Sequence, residues 1–477
     1  MIDERLEYVL PTFRCKNSIT CMTIWNPKIG ERDGPLYREL ANAIGLAIEE
    51  GKLRPGERLP TQRTLADSLG IALTTVTRGY AEAERRGLVR GEVGRGTFVR
   101  PRAGSETIEE NGTAGQVDLR PNTLLPWPLA PELLDRMARC LTAADPQVLF
   151  TYGPHAGRHH HRDAGAAWIR KNGLDATSDQ VLVTTGAQHG MAAVFATLTR
   201  AGDAVAVEEL TYNGMRSLGH VLGIRLRPVE LDAEGMVPDA LETVLAEGDV
   251  KAIYCTATLQ NPTAAVMSDA RRREIARLAD QYAVPIVDDD SYGFMLPDVP
   301  PLSTYTANSY YLIGTSKPLL PSLRVGFLRA PTAATDRLAA AIAATVYMTS
   351  PITAELVTDW LANGTAERIM SWKREQVGLR QGAVRRILSG SDYLSQPRSP
   401  HGWLRLPEPW TTQEFVHQAG QRGVHVSPAD DFCVCRMAPH AVRICVGPTP
   451  SRAMLEEAVG KLAIMLAEGP DAGRVVV

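Results

Sequence analysis

An α/β fold with a largely parallel sheet, preceded by a smaller helical module, is what this amino-acid sequence predicts, on three observations. The 477 residues exceed one ordinary domain and suggest two to four units. Short apolar runs of β-forming residues alternate with helical stretches through the second half, as they do when crossover helices link parallel strands. Between residues 34 and 101, apolar residues recur at helical spacing in three short segments, and a Gly-rich hairpin follows.

Composition narrows the classes. Hydrophobic residues make up 44% and charged residues 22%, ordinary for a globular chain with a normal core. The net charge is -3, but it is uneven: residues 34–101 hold eleven Lys/Arg and eight Asp/Glu, which leaves -6 for the rest. A mildly basic head on an acidic body fits nucleic-acid contact by the head. The seven cysteines are scattered with no C-x-x-C pair, which suggests a reducing compartment. The opening residues lack a signal pattern and no run of 18 apolar residues occurs, so a cytoplasmic location and no membrane partner are expected.

The chain divides by composition. Residues 1–33 are irregular and suggest no function. Residues 34–101 form the patterned head. Residues 102–118 are rich in Gly, Ser, Glu, Asn and Thr and read as a flexible linker. From about 119 the chain is apolar and alternating. Expected strands are Val181–Thr184, Ala204–Glu208, Arg225–Leu231, Ala252–Thr256, Pro285–Asp289, Tyr310–Gly314 and Val325–Leu328, with a helix over Asp269–Tyr282 among the connections. Ligands of such sheets sit at the carboxyl ends of strands, so the polar residues there are the candidates for chemistry.

In the head, Leu36, Leu40, Ala43, Ile44, Ala47 and Ile48 share a helical face that stops at Gly51. Thr61 suits the N-cap of a short helix carrying Leu65, Ala66 and Leu69, and Gly70 ends it. A further helix is expected from about Thr74 to Arg86, then strands at Leu88–Val89 and Thr97–Val99 around a Gly-rich tip. Two helices, a tight turn and a hairpin make a winged helix-turn-helix, whose second helix would enter the major groove. Thr74, Thr75, Thr77 and Arg78 would face the bases, while Arg63 and Arg95 would meet phosphates or the minor groove. A small helical domain with a solvated charged face fits the same pattern.

In the body, Asp288-Asp289-Asp290 ends a strand, with Tyr292 just beyond. Such a run also suits a metal site or a solvated turn. Gly314-Thr315-Ser316-Lys317 follows the strand YLIG, with Arg324 seven residues on. Thr184-Thr185-Gly186-Ala187-Gln188 joins a strand to a helix, which is a ready anion site. Together these are what pyridoxal 5'-phosphate (PLP) requires. Lys317 would form the Schiff base, Asp289 would pair with the pyridine nitrogen, and Tyr292 and Asn261 would bond the ring hydroxyl. Tyr212 would stack on the ring. Gly186, Ala187 and Gln188, with Thr315, Ser316 and Arg324, would hold the phosphate.

These motifs carry a resemblance. Gly34 to Pro101, with LPTQRTLADSLG and GRGTFV, resembles the GntR-type DNA-binding domain. Residues 119–465, with TTGAQ, QNPT, DDDSY, GTSK and LPSLRVG in order, resemble fold type I aminotransferases. The whole chain resembles the MocR subfamily of GntR regulators, which fuses the two. The resemblance implies a PLP-dependent fold with a large α/β domain and a smaller C-terminal α+β domain over about 330–477. It implies that Arg443 grips a substrate carboxylate and that Tyr152 reaches the phosphate of a partner subunit, hence a homodimer. Four places depart from the family pattern. Ala72 replaces a Ser or Thr cap and Leu73 a basic residue, so the recognition helix is expected to start at Thr74. His159-His160-His161 stand where an aromatic, a Pro and an apolar residue are usual; no carboxylate is placed beside them, so a part in ligand recognition is expected and no metal site. Ala264 replaces a Gly and changes only turn geometry.

The expected function is a transcriptional regulator that binds double-stranded DNA. It would sense an amine or amino acid through an external aldimine at Lys317. The alternative is a working aminotransferase with a DNA-binding appendage. A plain repressor whose large domain only dimerises would not need Lys317, Asp289 and Arg324 together.

Overall fold

The structure, a computed structural model, describes residues 25, 27, 35–49, 52–53, 57–85, 88–92, 96–99, 116–125, 131–434 and 437–470. The chain divides into two compact units, 1–111 and 112–477.

In the first unit, α1 (Leu36–Glu49) packs against α3 (Leu73–Arg85), with α2 (Gln62–Leu69) beside α3. Leu40, Ile44, Leu65, Val76, Tyr80 and Ala83 form the core. A Cβ on Gly79 would lie 2.6 Å from Leu40 Cδ2, so a glycine is what lets α1 and α3 approach so closely. Thr61 caps α2 by accepting from the Thr64 N–H at 3.2 Å, and Gly70 closes it in the left-handed conformation at φ 64°. The recognition helix starts at Leu73, one residue earlier than expected. The Ala72 carbonyl accepts from Thr75 and Val76, so the backbone makes the turn without a hydroxyl cap. The hairpin strands are β1 (Val89–Glu92) and β2 (Gly96–Val99), antiparallel. Glu57 and Leu59 bond to the outer edge of β2, which anchors the wing to the start of α2.

In the second unit, seven strands run in the order Val181–Thr184, Gly326–Arg329, Ser309–Gly314, Ile286–Asp289, Val250–Cys255, Ala204–Glu208, Arg225–Val229. All are parallel except Gly326–Arg329, which is antiparallel to both neighbours. Alternate residues bury against opposite faces. Leu182, Val205, Tyr254, Val287, Leu312 and Leu328 pack with the helices Ala187–Leu198 and Thr335–Thr345. Val183, Tyr311, Ile313 and Phe327 pack on the other side around the helices His159–Lys171 and Pro351–Ala362.

A second layer follows in the chain. Four short antiparallel strands, Tyr393–Leu394, His401–Arg405, Ala441–Cys445 and Ser427–Pro428, are covered by the helices Thr365–Ile387 and Arg452–Glu468. The small subdomain was expected from about residue 330. Thr335–Thr345 instead buries Leu338 and Ile342 in the core of the large sheet. Val117–Asp118, expected as the end of the linker, form a short strand parallel to Val424–His425. Residues 120–123 then line a cavity, where the Asn122 carbonyl meets the Lys317 amine.

Candidate functional site

At the carboxyl ends of the central strands lies a cavity of about 510 Å3. Lys317 reaches it from the turn after Ser309–Gly314. Its amine donates to the Asn122 carbonyl and lies 5.9 Å from the centre of the Tyr292 ring. Burial lowers its pKa to about 8, with repulsion from Arg443 and Arg324 opposed by Cys445 and Asp289. Thr315, expected at the phosphate, is turned away: its hydroxyl donates to the Val325 carbonyl at 2.9 Å, and it braces the loop. Ser316 lines the cavity and accepts from Arg324 Nη1 at 3.0 Å.

The triple aspartate separates by strand alternation. Asp288 accepts from the Ser303 N–H and Asp290 from the Tyr311 hydroxyl, both buried. Only Asp289 faces the cavity. It accepts from the Tyr254 hydroxyl at 2.8 Å and the Ser291 hydroxyl at 2.6 Å, while burial raises its pKa.

The phosphate candidates cluster opposite. Gly186 caps the helix Ala187–Leu198 at φ 80°, and a Cβ there would lie 2.8 Å from Arg324 Nη2. A glycine therefore leaves room for the guanidinium beside free helix N–H groups, an arrangement suited to an anion. Ala187 and Gln188 line the same wall, and the Gln188 amide donates to the Gly214 carbonyl at 3.1 Å. Tyr212 packs its ring over Gly214, where a Cβ would come within 2.2 Å of it. These are the features of a cradle for a phosphorylated aromatic ring, and the residues present fit PLP.

Arg443 is buried, with Nη1 donating to Asn261 Oδ1 at 2.7 Å and Nη2 to the Arg120 carbonyl at 2.6 Å. Its guanidinium carbon lies 4.6 Å from the Phe432 ring centre, and its Nε has no partner. Tyr292 and Asn261 line the same cavity. Tyr152 does not: it is 79% exposed and edge-on to Tyr347. The histidine tract is also absent from the lining.

Several residues that organise the site carry no sequence signal. Glu208 is buried with a pKa raised to about 8 by burial, and it accepts from the Gln260 amide and the Thr256 N–H. Gln260 also donates to the Leu210 carbonyl and accepts from Thr263, which fixes the turn carrying Asn261. His401 donates from Nε2 to the Gln260 carbonyl and accepts at Nδ1 from the Asn122 amide, so it is the neutral tautomer. Burial holds its pKa down to about 3. Lys373, from the helix Thr365–Ile387, donates to the carbonyls of Lys317 and Leu319. Long-range contacts of this kind leave no local pattern.

In the head, Arg63, Thr74, Thr77 and Arg78 are exposed and Thr75 is half-buried. Thr77 donates to Gln62 at 2.8 Å and ties α3 to α2, so its hydroxyl is already committed. Arg78 stacks on Tyr37, 4.5 Å from the ring centre. Arg95 lies outside the described residues.

Fold and site together define a fold type I aminotransferase domain joined to a helix-turn-helix DNA-binding domain. The chain belongs to the aminotransferase class I and II family, which it matches over residues 121–462, and residues 36–99 match the gntR family of bacterial regulatory proteins. It is thus a transcription regulator of the MocR type. The regulator YdeF of Bacillus subtilis is 29% identical over 88% of this chain and 92% of its own. TauR of Rhodobacter capsulatus is 25% identical over 84% and 90%, and the pyridoxine biosynthesis regulator PdxR of Corynebacterium glutamicum is 27% identical over 69% and 74%. Among solved structures, the kynurenine aminotransferase of Pyrococcus horikoshii superposes with a TM-score of 0.69 at 22% identity, covering 75% of this chain and 92% of that one. An archaeal alanine:glyoxylate aminotransferase gives 0.67 at 23%, covering 74% and 91%. Among the described residues, no helix is long and apolar enough to cross a membrane.

Proposed function

We propose that this regulator holds PLP in the cavity and reads the level of an amine bearing a carboxylate. The observation that carries the reading is the convergence of Lys317, Asp289 and Arg443 on one cavity. When bound, PLP supplies an aldehyde that an amine can engage and a ring that withdraws electrons. Lys317 holds the cofactor, and its lowered pKa favours the neutral amine that bonding requires. Asp289, oriented by Tyr254 and Ser291, would pair with the ring nitrogen. Gly186, Ser316 and Arg324 would hold the phosphate, and Tyr212 would cover the ring. Arg443, oriented by Asn261, meets the ligand carboxylate.

A ligand amine would compete with Lys317 for its place in the cavity, and its carboxylate would compete for Arg443 with Asn261 and the Arg120 carbonyl. Lys317 and Arg443 both bond the backbone of 120–122, the segment that follows the linker from the DNA-binding domain. Occupation of the site thereby reaches that segment, and a homodimer converts the change into a new spacing of two heads on DNA. The exposed Tyr152 completes the site of the partner subunit. Thr74, Thr75 and Arg78 read the operator, and Arg63 and Arg95 contact its backbone.

Footprinting on the upstream region of its own gene, with and without PLP, tests the reading. Two protected half-sites whose pattern changes with PLP are expected. No protection at low salt in either condition would favour the aminotransferase alternative, which turnover assays with amino donors and keto acids then decide.

A further inference from the structure

Three consecutive histidines open the helix His159–Lys171, and the proposed function gives them no work. The sequence places no carboxylate that His160 and His161 share, but the fold does. Glu355, on the facing helix Pro351–Ala362, puts Oε1 2.5 Å from His160 Nε2 and 2.9 Å from His161 Nε2. The two rings lie 4.1 Å apart and tilted, so both nitrogens aim at one oxygen. All three donor atoms fall within 4.8 Å of one another, the one such group of His, Cys, Asp and Glu among the described residues. His159 stands apart, paired with Asp163 at 2.7 Å.

We propose that His160, His161 and Glu355 form a zinc site that clamps these two helices together. Two imidazole nitrogens and a carboxylate oxygen are a donor set that zinc favours over harder cations such as magnesium or calcium. Three protein ligands leave the fourth tetrahedral position to water. Zinc bonds of about 2.0–2.2 Å separate tetrahedral donors by about 3.3 Å. The two His–Glu separations must therefore open by less than about an ångström, which small rotations of His160 and Glu355 supply, and the two imidazole nitrogens already lie within 4.8 Å of each other. Access is graded in the same sense. His161 is 3% exposed and Glu355 16%, which fixes two donors, while His160 is 47% exposed and leaves the site open to solvent. The positive end of the helix His159–Lys171 opposes a cation. Glu355 offsets it, and Asp359, one turn further along its helix, adds negative field. A plain hydrogen-bonded triad would use the same atoms; it differs in binding no metal.

The test uses the chelator-treated full-length protein loaded with PLP. Zinc is titrated by calorimetry, and cobalt is used as the visible probe of geometry. One site per chain and the intense visible bands of tetrahedral cobalt are expected. His160→Ala and Glu355→Gln should each weaken binding at least about tenfold, while His159→Ala leaves it unchanged. PLP uptake, measured by absorbance, should stay at the wild-type level in all three and reports that they fold. Wild-type protein that takes up no zinc, or binds it no better than the His160→Ala/Glu355→Gln double variant, overturns the site. Should those variants fail to fold, zinc-edge X-ray absorption of the wild type decides: fewer than two imidazole ligands overturns it. PLP uptake and DNA binding do not depend on this site, so failure here leaves the sensor reading standing.

Discussion

Capture of PLP by the cofactor-free protein should accelerate with pH around a midpoint near 8. The attacking species is the neutral amine of Lys317. Its pKa falls from 10.5 to about 8, first through burial and then through the positive charges of Arg443 and Arg324, against Cys445 and Asp289. At about pH 7.5, a lysine of pKa 10.5 is roughly 0.1% neutral and one of pKa 8 about a quarter neutral, a gain of roughly 200-fold. The neutral fraction rises with pH, so the second-order rate constant should climb through about pH 8 and level off a unit or so above it. Stopped-flow absorbance after mixing with PLP measures it. Arg443→Met removes a repulsion and should move the midpoint upward. A rate that keeps rising toward the ordinary lysine range, with no bend near 8, would refute the assignment of Lys317 to a desolvated site.

Lys373→Met removes the donor that holds the carbonyls of Lys317 and Leu319. The dissociation constant for PLP should rise by about tenfold, about 1.4 kcal/mol, as read by fluorescence titration. Unchanged affinity would show that the loop is held without it. His401 has an ordinary pKa of 6.5 when unfolded and about 3 when folded. Between these values only the unfolded chain takes the proton. The stability that the neutral ring contributes is therefore complete above about pH 6.5 and is lost as pH falls toward 3. Urea midpoints should fall by the equivalent of about 2 kcal/mol between pH 6.5 and 5, and His401→Gln should flatten that slope. Equal slopes in the two proteins would contradict it. Gln62→Ala breaks the bond to Thr77 and should cost the head about 1 kcal/mol, seen in thermal melts, with affinity weakened alike for all DNA sequences.

The sheet was legible because its strands are written as unbroken apolar runs that end in polar residues. Val181–Thr184 and Ala204–Glu208 appear within the bounds the sequence predicts, and the others shift by one or two residues at their ends. Legibility failed where local pattern and tertiary packing part company. Thr315 looks like a phosphate ligand beside Lys317, but strand pairing turns its hydroxyl to Val325. Thr335–Thr345 follows the last strand of the large sheet and belongs with it because Leu338 and Ile342 fill its core. Of the triple aspartate, Asp289 was readable as the member that faces the site, whereas the partners of Asp288 and Asp290, Ser303 and Tyr311, were not, because strand alternation turns those two carboxylates into packing that the sequence does not show. Glu208, His401 and Lys373 act across more than fifty residues of chain, where a single sequence holds no trace of the partner.

The central claim is that an amine ligand acts on DNA binding through Lys317. Its most direct test is operator affinity for the wild type and Lys317→Ala, each with and without a panel of amino acids and PLP. Wild-type affinity or footprint should change with one of them. Lys317→Ala should bind the operator comparably and no longer respond. A variant that responds as the wild type does would contradict the claim.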